Sequence, residues 1–175
     1  MHGTTWSTQE GKSIAFNGKD AIMSVKTSKI ALPNTSDYTL EFWFKAATGQ
    51  KEDATLIANG KGIGEEADGN TDKVFVGFVD NELLFRNNGY EQKVPGSFRD
   101  GAWHHFVLTV NRTAGNAQIF MDGVLNSYFD ASNVGGFSSA ELYAGARRWT
   151  EAEQMVSHTD MFLDGAIDEL RIWNM

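Results

Sequence analysis

The feature that most constrains this chain is the recurrence of two-residue turn signals at short intervals. Asn-Gly or Asp-Gly pairs stand at Asn17-Gly18, Asn59-Gly60, Asp68-Gly69, Asn88-Gly89, Asp100-Gly101, Asp122-Gly123 and Asp164-Gly165. Such pairs accept the positive φ of a tight reversal and interrupt helices. Between them lie short aromatic and β-branched runs: Tyr38 to Phe44, Val74 to Val79, Glu82 to Arg86, Leu142 to Gly145. In the run after Trp103, Phe106, Leu108 and Val110 alternate with His105, Val107 and Thr109, the period of two that a strand requires. Asp122-Gly123 then joins the run ending at Met121 to the one starting at Val124 as a hairpin, and Asp80-Asn81 leaves room only for another. The chain reads as all-β, with two packed antiparallel sheets.

At 175 residues and 41% hydrophobic composition, the chain is sized for one core. A formal net charge of -8 opposes general attraction to nucleic acid or anionic lipid, and no run approaches the roughly 20 apolar residues of a membrane helix. The absence of cysteine removes disulfides, thiolate zinc sites and cysteine nucleophiles. The bare start at Met1-His2 and the end one residue after Trp173-Asn174 lead to the expectation of one domain over 1–175, excised from a longer secreted or cell-surface protein.

Four segments resemble, in order, those of the laminin-G-like, concanavalin A-like jelly-roll family. They are the opening hairpin Ile14 to Val25, the Trp-centred strand Tyr38 to Ala46, the Trp103 to Val124 stretch, and the closing Leu163 to Asn174. The resemblance implies a jelly-roll β-sandwich and a binding or adhesion module for a glycan or protein. It also implies a structural calcium held by the opening hairpin and the closing strand, here Asn17, Asp20 and Asp168. Glycoside hydrolases and lyases share the fold, which keeps an enzyme open as the alternative, and a ligand-free spacer is a third reading.

Other residues carry groups capable of chemistry. Asp68 to Asp72 mimics the start of a calcium loop, but Lys73 and Val79 stand where that motif needs glycine and glutamate, so it reads as a solvated loop. Asp164, Asp168, Glu169 and Glu41 do not reproduce the alternating carboxylates of the fold's glucanases, and no catalytic residue is assigned. His104 and His105 point to opposite strand faces and cannot share a metal. Asn34-Thr35-Ser36 and Asn111-Arg112-Thr113 fit the glycosylation triplet. Arg147 to Val156 reads as an exposed loop, and Trp149 with Arg147 and Arg148 is the candidate ligand-binding group. Trp43 and Trp103 are taken as core residues.

Overall fold

The computed structural model describes residues 5–7, 12–25, 32–50, 53–59, 62–63, 74–137, 141–150 and 157–174; for 5–7, 62–63, 149–150 and 157 it describes the backbone only. Sixteen strands occur among them, in chain order β1 (Thr5–Ser7), β2 (Ser13–Asn17), β3 (Met23–Val25), β4 (Tyr38–Ala46), β5 (Ala54–Asn59), β6 (Gly62–Ile63), β7 (Val74–Val79), β8 (Glu82–Asn87), β9 (Tyr90–Val94), β10 (His104–Asn111), β11 (Asn116–Met121), β12 (Val124–Asp130), β13 (Leu142–Ala144), β14 (Arg147–Thr150), β15 (Ser157–Asp160) and β16 (Asp164–Asn174). A 3-10 turn at Ala131–Asn133 follows β12. The Asp68–Asp72 loop lies outside the described residues.

A seven-stranded sheet runs β1-β2-β16-β4-β10-β11-β12, and a six-stranded sheet runs β3-β13-β5-β7-β8-β9. All their pairings are antiparallel. The chain's ends meet inside the larger sheet, where β16 lies between β2 and β4. This is the two-sheet sandwich expected from the turn spacing.

Several of the turn signals act as their backbone requires, whereas Asp164-Gly165 makes no reversal and opens β16, paired with Asn17 and Phe16. Asp80-Asn81, Asn88-Gly89 and Asp122-Gly123 all take positive φ at both positions and close the β7–β8, β8–β9 and β11–β12 hairpins. Between the sheets lies one aromatic core. Phe42 stacks on Phe106 at 5.1 Å, Phe44 meets Phe78 edge-on at 6.1 Å, and Tyr38 meets Phe137 at 5.3 Å. Gly145, at φ +77, lets Phe16 into this core, since a Cβ there would lie 2.0 Å from Phe16 Cδ1.

The two sheets differ on their outer faces. In β5 and β7 every residue is buried, because Ala58, Phe75, Val79, Leu84 and Tyr143 form a second apolar cluster with Met161 outside the six-stranded sheet. Strands β4 and β10 of the seven-stranded sheet instead alternate, with Tyr38, Leu40, Phe42, Phe44, Phe106, Leu108 and Val110 inward. Their outer face is open, and it carries Trp43, which is 39% exposed. The expectation of Trp43 as core is corrected: in a period-two strand it shares a face with Glu41 and Lys45, opposite Phe42 and Phe44. Trp103 is half-buried.

Candidate functional site

The register across the seven-stranded sheet gathers residues distant in sequence onto that open face. Trp43 pairs with His105 on β10, Glu41 with Val107, and Arg171 and Trp173 of β16 with Glu41 and Thr39. The indole of Trp43 and the imidazole of His105 stack at 4.6 Å between centroids and 13° between planes. Glu41 is the centre of the group. Its Oε1 accepts from the Arg171 guanidinium at 3.3 Å and from the Trp173 indole N–H at 3.2 Å, and its Oε2 lies 3.8 Å from His105 Nε2. Arg171 also contacts Glu169. Trp173 is 52% exposed.

Four residues of strand separate the level of Trp43 from that of Thr39 and Trp173, so their backbones stand about 13 Å apart along the sheet, and the Trp173 indole N–H is bonded to Glu41 between them. On the far side of β10 the face continues through Phe120, Leu125 and Tyr128, with the last two exposed. Exposed aromatic rings flanking a carboxylate held in place by its neighbours form a platform that can stack on the apolar side of a ring and accept hydroxyl hydrogens. The carboxylates Glu41 and Glu169 are bridged by one guanidinium. That arrangement commits both carboxylates to the same arginine.

The residues singled out in the sequence lie elsewhere. Asn17 and Asp20 do come together: Asn17 Nδ2 donates to Asp20 Oδ1 at 2.7 Å, while Asn17 Oδ1 accepts from the backbone N–H groups of Lys19, Asp20 and Ala21. Asp164, not Asp168, is opposite Asn17. Asp168 is four residues further along β16, about 13 Å away at strand rise, where its Oδ1 accepts from Glu169 N–H. Calcium ligands must lie within about 2.6 Å of the ion, so Asn17, Asp20 and Asp168 do not fit a single calcium. Asp168 lies on the outer face of the sheet. A bulge between Asp168 and Arg171, with Glu169 at φ 53, resets the alternation and pairs Asp168 with outward-facing Trp43.

The supposed exposed loop at Arg147 to Val156 is a strand over its first part: β14 pairs antiparallel with β15, and 151–156 lie outside the described residues. Arg147 is fully buried, its Nε donating to Asp160 Oδ1 at 3.0 Å, which corrects the expectation of an exposed guanidinium there. Arg148 is half-buried with its guanidinium 6.0 Å from the Tyr143 ring centre. The backbone of Trp149 pairs with His158 and Gly62, and its side chain lies outside the described residues.

His104 is structural. It is buried beside Phe44 and Phe98, its Nδ1 lies 2.9 Å from Asp122 Oδ2, and its Nε2 lies 3.1 Å from Asp100 Oδ1. Burial alone would favour the neutral ring, but the two carboxylates outweigh it and raise the pKa above the ordinary histidine value. The Asp100 carboxyl is held below its ordinary value by the Ala102 N–H and by His104.

Among known proteins, the chain is 27% identical over 147 residues to the sushi, von Willebrand factor type A, EGF and pentraxin domain-containing protein 1 of Rattus norvegicus, a match covering 82% of this chain and 4% of that relative. The fold is shared with the binding domain of Paraclostridial Mosquitocidal Protein 1, at TM-score 0.69 and 14% identity over 98% of this chain and 42% of that one. It is also shared with domain 4 of AbnA, a GH43 extracellular arabinanase from Geobacillus stearothermophilus solved with arabinotriose, at TM-score 0.65 and 17% identity over 98% and 75% of the respective chains. The native heptameric SAP-like pentraxin from Limulus polyphemus aligns at TM-score 0.63 and 12% identity, covering 92% of this chain and 75% of that one. The Laminin_G_3 family model matches residues 17–175, and the chain belongs to that family of the concanavalin A-like lectin/glucanase superfamily.

Proposed function

We propose that this chain is a non-catalytic binding module of an extracellular or cell-surface protein, and that it takes a glycan across the outer face of its seven-stranded sheet. The observation that carries this reading is the pair of exposed indoles, Trp43 and Trp173, on either side of a Glu41 carboxylate already fixed by Arg171 and Trp173. A flat aromatic platform with few, pre-positioned acceptors suits an extended sugar chain. The support from similar structures is modest: one such domain was solved with arabinotriose, and others are the binding domains of toxins. A hydrolase is disfavoured by the coordination of Glu41 and Glu169 to a common arginine.

Affinity electrophoresis in gels containing a panel of polysaccharides tests the reading. Retardation of the parent by at least one polysaccharide, lost in Trp43→Ala and in Trp173→Ala, is expected. Each truncation of such an anchor should weaken binding about tenfold or more. Trp149→Ala should bind like the parent. Loss of binding in that variant alone would move the site to β14, and sugar release by the parent would overturn the non-catalytic reading.

A further inference from the structure

A second, chemically different site lies at the end of the sandwich where β4 begins and β8, β10 and β12 finish. A cleft of about 570 Å³ there is lined by Asn34, Asn88, Tyr90, Arg112, Asn133 and Gly135, among others. Its floor is a built structure. The Gly135 N–H donates to Asn87 Oδ1, the Gly136 N–H to Asn34 Oδ1 at 2.9 Å, Asn88 Nδ2 to Asn87 Oδ1 at 3.1 Å, and the Tyr38 hydroxyl to Gly135 O at 3.1 Å. A Cβ on Gly135 would lie 2.1 Å from Asn88 Nδ2, so only glycine lets these amides converge. Tyr90 forms one wall, its ring braced on Phe129 at 5.3 Å.

The charge and hydrogen-bond balance of this cleft is lopsided. Arg112 is the only charged side chain among its lining residues, in a chain of net charge -8. Its guanidinium donates to the backbone carbonyls of Ser36 and Ala131 and forms no ion pair among the described residues. Two buried donors beside the cleft, Arg112 Nη2 and Asn87 Nδ2, have no acceptor there, and Asn87 is fully buried. Buried donors without acceptors are costly, and a cationic donor is best satisfied by an anionic oxygen. The lining of the cleft thus carries one cation and no carboxylate, the reverse of the carboxylate-centred platform on the sheet face.

We infer that this cleft binds an acidic sugar unit, with its carboxylate on the Arg112 side and its hydroxyls on the asparagine amides. The test is a titration of the isotopically labelled full chain with glucuronate, glucose and acetate, followed by amide chemical shifts. Glucuronate is expected to move Asn88, Gly89, Asn133 and Gly135 at lower concentration than either glucose or acetate. The Asn88→Asp variant tolerates the turn's positive φ of 49, as aspartate does, and adds a negative charge. It should raise the glucuronate Kd about tenfold or more, with some loss of melting temperature because it also removes the Asn88–Asn87 hydrogen bond. Trp43→Ala should leave the glucuronate response intact, so failure of the sheet-face reading leaves this one standing. Equal responses to acetate and glucuronate, responses to glucose alone, or shifts confined to the sheet face would each overturn the proposal. An Asn88→Asp variant that folds and keeps its glucuronate affinity would also overturn it.

Discussion

Replacing His104 with glutamine should cost stability at pH 6 and progressively less as the pH rises. His104 bridges two turns, the Asp100-Gly101 turn before β10 and the Asp122-Gly123 hairpin tip, through contacts of 3.1 and 2.9 Å. Hydrogen bonds to charged partners contribute about 1.5–3 kcal/mol each when well shielded, but Asp100 and Asp122 are half exposed, so solvent screens the pair and the lower end applies. Glutamine retains some of the bonding and the packing volume, leaving a loss of about 2 kcal/mol, or about 4–8 °C in melting temperature for a domain of this size. The folded-state pKa of His104 is raised above its unfolded value of 6.5. The protonated ring therefore contributes stability in full below pH 6.5, and that contribution is lost as pH rises through the folded pKa. Thermal unfolding of parent and His104→Gln from pH 5.5 to 9 measures this as the difference between two curves, cancelling other titrating groups. A gap that closes toward high pH is expected. A gap that stays constant, or widens as pH rises, would refute the reasoning.

Two further outcomes follow from the packing. Gly145→Ala would place a methyl against the Phe16 ring at a backbone φ of +77, and should lower stability by about 2–4 kcal/mol in chemical denaturation; a midpoint within experimental error of the parent would contradict the geometry. Asp168→Asn should leave any calcium-dependent change in melting temperature as it is in the parent, because Asp168 lies far along β16 from the opening hairpin.

The architecture was legible because its signals are local. Asp122-Gly123, Asn88-Gly89 and Asp80-Asn81 each declare a reversal within two residues, and each makes one. The site was less legible because it is built across strands. Residue type alone places Trp43 in the core, whereas the alternation Phe42-Trp43-Phe44 beside Glu41 puts it on the other face from the phenylalanines. Glu41 and Trp173 are 132 residues apart, and their hydrogen bond depends on β16 entering between β2 and β4. The direction of Asp168 is hidden in the sequence because a bulge at Glu169 breaks the period of two that Leu170 and Ile172 would extend back to it. The polar strand Arg147–Thr150 lacks apolar alternation and is held by pairing with Ser157–Asp160, so no local pattern marks it. The end cleft joins Asn34, Asn88, Arg112 and Gly135 from four separate connections, which only the assembled sandwich brings together.

The central claim, that the outer face of the seven-stranded sheet is the ligand platform, is tested most directly by the indole N–H signals of the five tryptophans. These are followed as the retarding polysaccharide's oligosaccharide is added. The Trp43 and Trp173 signals should shift together and saturate at a common concentration, with Trp173 the more sensitive because its N–H is bonded to Glu41. Saturable binding that leaves both signals unmoved would contradict the account.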